Sequence, residues 1–269
     1  MMRKHSGTAL AAPGAKWKPY HTLALISILS LVLFATWTST SALRLWSWLS
    51  LLSLLTMLVL LIGHGVTGLW LGVLIDSRNK VSLSRLQMLL WTVLILTSFL
   101  TAVLSNIDQG DHHPLAIHIP AELWLLMGIN TASLVGSPLI LSAKKRRQAN
   151  ESEKAHALEL LARQAVDISR IVIHGQVVAN QTPAAARLSD MFRGSETGNA
   201  GQMDISKLQV FLFTLILLLA YSTALVALFN QSALRIEALP APDSGMVLLL
   251  GISHTGYLVN KAIPHSRKE

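Results

Sequence analysis

Six stretches without an Asp, Glu, Lys or Arg side chain divide the chain, and each could cross a lipid bilayer. They cover residues 19–43, 45–75, 86–107, 123–143, 208–234 and 244–260. A spanning helix needs about 20 mostly apolar residues, with about 17 as the lower limit. Five stretches exceed this requirement and the sixth just meets it. The pattern therefore predicts an all-α integral membrane protein with six transmembrane helices.

Two pairs of these stretches carry related sequences. The segment Ser84–Thr92 returns as Ser206–Thr214, 122 positions later, and Leu125–Ile129 returns as Leu248–Ile252, 123 positions later. A nearly constant offset across two separated matches indicates a duplicated two-helix unit. Both copies enter the membrane from the same side, so we expect parallel repeats related by a pseudo-two-fold axis along the membrane normal.

These features divide the chain into six parts. They are a tail at 1–19, an N-terminal transmembrane hairpin at 20–75, a first two-helix repeat at 76–142, a helix-and-loop insert at 143–205, a second two-helix repeat at 206–263, and a tail at 264–269. Within the insert, helical spacing runs from Glu151 to about Ile173, and the remainder is predicted as loop with room for a short strand pair around 171–179. The insert is small and polar for an independent core.

Composition and charge agree with a membrane protein and set its orientation. Hydrophobic residues make up 52% of the chain and charged residues only 13%, and the net charge is +8. Of the 22 basic residues, 20 fall in segments on one side of the predicted membrane, leaving Arg44 and Arg235 on the other. The positive-inside rule then predicts cytoplasmic N- and C-termini, and we expect a bacterial inner (plasma) membrane.

The run Lys144–Arg147 is interpreted as a juxtamembrane signal facing anionic lipid, so no nucleic-acid partner is expected. The chain has no cysteine, which excludes disulfide and thiolate chemistry.

The segment Ile75–Gln87, with its Trp-Thr continuation, and the stretch Asp190–Gly194 resemble a group of uncharacterised bacterial membrane proteins. The resemblance covers roughly residues 60–263. It implies the polytopic architecture and the repeated unit, and it carries no activity that could be transferred to this chain.

Small and amide side chains mark the expected helix contacts. In the second predicted helix, Gly65, Gly68 and Gly72 would lie on one face and let a neighbouring helix approach closely. Gln87 and Gln209 are equivalent in the two repeats. They could line a vestibule or bind an anionic group, but an ordinary interhelical hydrogen bond is the favoured interpretation.

The strongest candidate for a path or cleft is a small, polar face that occurs in both repeats. It comprises Asn130, Ser133 and Ser137 in the fourth predicted helix and Ser253, Gly256 and Asn260 in the sixth, with His254 alongside. Polar residues at membrane depth usually face protein or water rather than lipid. Tight helix packing explains the same residues and remains the favoured alternative.

Other candidate chemistry is weaker. His64 and His254 could relay protons, but buried, neutral, hydrogen-bonded histidines are the preferred interpretation. The outer loop holds several metal-ligating side chains whose spacing matches no tight template, so no metal site is expected: Asp108, Asp111, His112, His113, His118 and Glu122. Gly194–Gly198 carries two glycines, but it follows no predicted strand and lacks a phosphate-binding lysine. We find no enzymatic motif and expect neither catalysis nor a cofactor.

The leading hypothesis is therefore a channel or transporter-like protein in the lipid bilayer, expected to be a homo-oligomer. The alternative is a membrane scaffold or sensor that binds a cytoplasmic protein partner through residues 143–205. An intramembrane enzyme is a distant third.

Overall fold

The computed structural model describes residues 17–231 and 235–266, so most of the two predicted tails lies outside the described part. The described chain is mostly helical. Its elements are α1 (Pro19–Trp37), α2 (Arg44–Thr67), α3 (Leu83–Asp108), α4 (Ala121–Lys145), α5 (Glu151–Arg163), β1 (Ile171–His174), β2 (Val177–Asn180), α6 (Ile205–Phe229) and α7 (Ser244–Ala262).

Five of these helices are long and apolar enough to cross a membrane, in agreement with a multi-pass, all-α membrane protein. They are α1, α2 with the turn before it, α3, α4 and α6. The sixth predicted span also forms a helix, α7, but it does not reach the hydropathy of the other five. α7 is more polar than the other five helices because it contains His254, Asn260 and Lys261.

The second helix is shorter than the sequence predicts. α2 ends at Thr67 rather than near 75, because Gly68 takes the left-handed conformation (φ 76°) and its N–H bonds the His64 carbonyl at 2.7 Å. Gly72 begins a short 3₁₀ turn instead. The prediction that Gly65, Gly68 and Gly72 share one helical face is therefore wrong.

The helices pack in a defined order around α3. α1 contacts α2, α2 contacts α3, α3 contacts α4 and α6, and α7 contacts both α4 and α6. The main core lies between these helices and includes Trp48, Trp91, Leu126, Tyr221 and Leu250. α1 buries only His21 and Ile28, which suits a helix that turns its apolar side chains toward lipid.

The insert between α4 and α6 has a fold of its own. α5 is capped by the Asn150 side chain and buries Ala157 and Leu161. β1 and β2 form the strand pair that the sequence allowed, an antiparallel hairpin that pairs His174 with Val177 across a two-residue turn. β2 is buried along its length.

Hydrogen bonds explain that burial, because the hairpin is docked on one end of the helix bundle. The Asn180 N–H donates to the Arg78 carbonyl at 2.9 Å, and the Gln176 N–H donates to the Lys144 carbonyl at 3.3 Å. We call this the insert end of the bundle: the loop 75–82, the last turns of α4 and α7, and the first turn of α6.

At the opposite end, the chain joins its loops through the backbone. The His118 N–H donates to the Glu237 carbonyl at 2.8 Å, and the Leu239 N–H donates to the His118 carbonyl at 3.0 Å, which forms a parallel bridge. Asn106 is fully buried and pairs with the backbone N–H and C=O of Ile236, both at 2.9 Å. These contacts tie the segment before α4 to the segment before α7.

Candidate functional site

Five basic side chains from separate segments are buried at the insert end. Each is between 2% and 6% exposed: Arg78 and Lys80 in the loop before α3, Lys144 at the end of α4, Lys207 at the start of α6 and Lys261 at the end of α7. Buried cations are costly unless they are paired or fully hydrogen-bonded. The partners of each cation therefore indicate what the cluster does.

Lys144 joins three parts of the molecule. Its ammonium donates to Glu196 Oε1 at 2.5 Å, to the Lys261 carbonyl at 2.5 Å and to the Ile263 carbonyl at 2.7 Å. Glu196 is itself 2% exposed, and its second oxygen accepts from the His265 N–H at 3.2 Å. This buried ion pair links the insert to the ends of α4 and α7.

Arg78 anchors the loop before α3 to the insert. Its guanidinium holds Asp76 at 2.7 and 2.9 Å and donates to the Ser195 hydroxyl at 2.9 Å. Burial opposes ionisation of Asp76, but the Arg78 charge and hydrogen bonds from Arg78 and Lys80 outweigh it. The pKa of Asp76 is therefore held below its ordinary value.

Lys207 connects the start of α6 to the insert in a similar way. It donates to the Arg193 carbonyl and, more weakly, to the Ser195 hydroxyl at 3.5 Å, and its ammonium lies 3.8 Å from Asp204. Asp204 also caps α6 by accepting from the Lys207 N–H. Ser195 thus accepts hydrogen bonds from Arg78, in the loop before α3, and from Lys207, in the first turn of α6.

The buried charges of Lys80 and Lys261 are less well compensated by hydrogen bonds and carboxylates. Lys261 donates to the Ser137 hydroxyl at 2.5 Å and to the Tyr257 hydroxyl at 2.8 Å, and within the described residues it contacts no carboxylate. The Lys80 ammonium makes no hydrogen bond to a described residue. Burial, reinforced by the charge of Arg78, lowers the pKa of Lys80 to about 8.

The predicted polar face is only partly brought together, along the contact between α4 and α7. The Ser133 hydroxyl lies 2.5 Å from Nδ1 of His254, and Ser137 lies 3.2 Å from the Tyr257 hydroxyl. Asn130 and Ser253 are also buried in this region. We call this contact the α4–α7 seam; in it, hydroxyl groups and an imidazole meet by direct contact.

Two residues of the predicted face lie elsewhere. Gly256 is exposed, and a methyl group at this position would touch nothing within 4 Å. Asn260 donates instead to Asp204 at 3.2 Å and to Ser206 at 3.0 Å, at the start of α6. Tyr257 and Lys261 occupy the places on the seam that the sequence assigned to Gly256 and Asn260.

A rotation of about one residue explains this difference. When the buried positions of α3 are aligned with those of α6, Gln87 matches Val210. In the same alignment of α4 with α7, Ser133 matches Tyr257. These displacements are 123 and 124 positions, each one more than the sequence match. A shift of one residue rotates the buried face of a helix by about 100°. Residues that are equivalent in the sequence repeat therefore face different neighbours.

The two glutamines illustrate the same effect. Gln87 is 1% exposed, and its amide donates to the Thr214 hydroxyl at 2.5 Å, between α3 and α6. Gln209 is exposed on the outer side of α6. Only Gln87 takes part in an interhelical hydrogen bond among those described.

Three buried polar atoms of the seam make no hydrogen bond to the described residues. They are Oδ1 of Asn130, Oγ of Ser253 and Nε2 of His254. Such atoms are unusual at membrane depth, because an unsatisfied polar group in a dry interior costs roughly 1–3 kcal/mol. The seam is thus both tightly packed and incompletely satisfied.

The remaining candidates lie away from this region. His64 is half-buried near the end of α2, where its Nδ1 lies 2.9 Å from Nε2 of His21. In the outer loop, Asp108 accepts from the Ser41 N–H at 2.7 Å and Asp111 pairs with Arg235 at 2.9 Å. Within the described residues, no group of three or more His, Asp or Glu side chains is placed to hold a metal ion.

Sequence reasoning missed the cluster at the insert end. The sequence predicts a lipid-facing Lys144, but this side chain is buried, because the insert folds back over it and supplies Glu196. The glycine-bearing segment Gly194–Gly198, set aside as a phosphate loop, provides that carboxylate. The repeated basic position after the first Ser of each unit marks only Lys207 of this cluster, because its equivalent Arg85 is half-buried and lies outside it.

The chain matches no protein-family model, no curated protein and no solved structure.

Proposed function

We propose that this chain is a multi-pass membrane sensor or scaffold whose insert binds a protein partner. In this proposal α7 is the sixth span and the insert end faces the cytoplasm of a bacterial inner membrane. The charge distribution supports the orientation, since 20 of 22 basic residues fall on that side of the predicted membrane. The homo-oligomer stays a prediction.

The observation that carries this proposal is the Lys144–Glu196 ion pair. Lys144 ends α4, its other two acceptors follow α7 or end it, and Glu196 belongs to the insert. A shift of α4 against α7 would therefore change the position of the insert. This is the arrangement that a sensor needs to pass a change in the membrane to a soluble surface.

Paired loops support the proposed duplication. A short antiparallel bridge precedes α3, between Ile75 and Val81, and another precedes α6, between Arg193 and Met203. Val81 and Met203 are 122 positions apart, the same offset as the sequence match. Each unit would then consist of a bridged loop, a long helix and a partner helix.

A second candidate function, transport through the seam, is favoured by the three unpartnered atoms on Asn130, Ser253 and His254. A transported ligand or proton could satisfy them in another conformation. Direct contact between Ser133 and His254 argues against an open path, since Ser133 is 0% exposed. We therefore rank the sensor above the transporter.

Cysteine accessibility separates the two functions, because the chain has no native cysteine. Single cysteines at Ser133 and Ser253 should be protected from a membrane-impermeant thiol reagent in proteoliposomes, whereas the exposed Ser189 in the insert should react. Ion flux through the same liposomes should stay at the level of empty ones. Labelling of the seam together with flux would favour the transporter.

Coupling itself is tested by hydrogen exchange. Ser137→Val removes the hydroxyl that contacts Lys261 and Tyr257, and amides 194–198 of the insert should then exchange faster. The matched control is Ser142→Val on the exposed side of α4, which should leave those amides unchanged. Equal exchange in both variants would contradict the sensor proposal.

A further inference from the structure

A groove of about 790 Å³ opens between α3 and α4 at the insert end. Its walls change character along the helices. Near the helix ends it is lined by basic side chains, Arg85 and Lys145, and by serine hydroxyls. Deeper in the bundle it is lined by apolar side chains, among them Met88, Leu134 and Val135.

The basic end of the groove is lined by more cations than carboxylates. Arg78 also lines it, but Arg78 is paired with Asp76, the only acidic residue of the lining. Arg85 is half-buried, and its one hydrogen bond to a described residue goes to the Val73 carbonyl, at 3.3 Å. The Lys145 ammonium makes no hydrogen bond or ion pair to a described residue. Two cations therefore face the groove without a carboxylate partner in the described part of the chain.

Hydroxyl groups add donors beside these cations. Ser84 is 4% exposed and its hydroxyl makes no hydrogen bond to a described residue, although it lines the groove. Ser137 lines it as well and accepts from Lys261 at 2.5 Å. Arginine, lysine and serine together are the usual donors to a phosphate group.

The apolar part of the groove opens sideways. Val135 is 54% exposed and Leu139 is 63% exposed on α4, a helix that is apolar enough to cross a membrane. Acyl chains would therefore surround this side. A free phosphate ion would gain nothing from Met88 or Leu134, whereas a lipid tail would bury apolar surface against them.

We propose that the groove binds one anionic phospholipid, with its phosphate held by Arg85 and Lys145 and one acyl chain along Met88 and Leu134. Basic pockets between membrane helices suit anionic head groups, and each cation near the surface contributes on the order of 1 kcal/mol. The occupied groove would fill the gap between α3 and α4 beside Ser137, which contacts Lys261. The site stands independently of whether the protein senses or transports.

Retention of lipid by the purified protein tests this site. The full chain is reconstituted in nanodiscs containing phosphatidylglycerol in phosphatidylcholine, then released in the gas phase for native mass spectrometry. One phosphatidylglycerol should stay bound. The double variant R85Q/K145Q should weaken this binding about 30-fold, from two lost cation contacts.

A matched double variant controls for net charge. Arg146 and Arg147 are exposed neighbours outside the groove lining, so R146Q/R147Q removes the same charge and should retain the lipid. Equal loss in both double variants would overturn the site in favour of a general surface field.

The apolar wall is tested separately with all charges in place. Val135→Trp should fill the groove from its exposed side and also weaken retention, while the unfolding temperature in phosphatidylcholine alone stays unchanged. Retention at the native level in this variant would overturn the proposal. So would displacement of the lipid by millimolar inorganic phosphate, since that result assigns the site to a free anion.

Discussion

The two ends of the helix bundle are held together by different chemistry. At the insert end, buried cations bind carboxylates and carbonyls from distant segments, with Lys144 and Glu196 at the centre. At the opposite end, backbone groups pair directly between His118, Glu237 and Leu239, and Asn106 completes the pairing with Ile236. Backbone bonds also dock the insert on Arg78 and Lys144, and the buried Lys144–Glu196 pair adds an ionic link to them.

This difference determines how each end responds to the loss of one interaction partner. Backbone pairing involves no titratable group and should respond little to pH or salt. The opposite end also holds the Asp111–Arg235 ion pair and the buried Arg44, which donates to the Gln231 carbonyl. Buried charges respond strongly to the loss of a partner, because the remaining charge has no water to solvate it. The insert end contains five buried basic side chains, so its geometry should change more than that of the opposite end when one partner is lost.

The largest effect is expected from breaking the central ion pair. Lys144→Met leaves Glu196 buried without its cation and should lower the free energy of unfolding by about 3–5 kcal/mol. Thermal unfolding in detergent measures the change, and limited proteolysis should show cleavage within the insert. Arg146→Met, at an exposed neighbouring position, is the control and should behave like the native chain.

A double variant sharpens this result. In Lys144→Met/Glu196→Gln the stranded carboxylate becomes neutral, and most of the lost stability should return. Additive loss in the double variant would mean that the ion pair is not the link between the insert and the helices.

A smaller effect is expected at the opposite end. Asn106→Ala strands the buried N–H and C=O of Ile236, which should cost about 2–3 kcal/mol. The loss should be the same at pH 6 and pH 9, because no titratable group takes part. Asn230→Ala at the exposed end of α6 should change stability little. A strong pH dependence would break the contrast between the two ends.

The smallest effect has the opposite sign. Lys80 has a lowered pKa of about 8 in the folded protein and an ordinary value of 10.5 when unfolded. Below pH 8 the buried ammonium therefore destabilises the fold in full, and this penalty disappears as pH rises from 8 to 10.5. Lys80→Met should raise the free energy of unfolding at pH 7 by about 1–2 kcal/mol.

The pH profile checks the sign of this prediction. Unfolding of the native chain and of Lys80→Met should be compared between pH 7 and pH 10.5, and the gap between them should close with rising pH. Lys154→Met on α5 serves as the control. A gap that widened instead would mean that the Lys80 charge stabilises the fold.

Much of the fold follows from local sequence, and the exceptions have definite causes. Each uncharged stretch contains a helix, and five of these helices are apolar enough to cross a membrane, because helix length and apolar content are properties of a single segment. The end of α2 was misplaced because its apolar composition continues to 75, whereas Gly68 turns the backbone at that point. The strand pair at 171–180 was foreseen only as an option, since its burial depends on docking against Arg78 and Lys144.

The candidate site was much less accessible from the sequence. Asn130, Ser133, Ser137, Ser253 and His254 do lie buried where the polar pattern suggested. Gly256, Asn260 and Gln209 face elsewhere, because a rotation of one residue separates the sequence match from the packed faces. The repeat specifies which segments are equivalent, but not which side of each helix is buried.

By itself, the sequence determined which segments form the long helices, the resemblance between Ser84–Thr92 and Ser206–Thr214, and the uneven distribution of basic residues. Each of these is a sum over neighbouring residues. Only the tertiary structure decided that five basic residues are buried together at the insert end, that Glu196 of the insert binds Lys144, and that α3 and α4 leave a groove. Those features depend on contacts between residues far apart in the chain, such as the 119 positions between Lys144 and Ile263, and no local pattern encodes such distances.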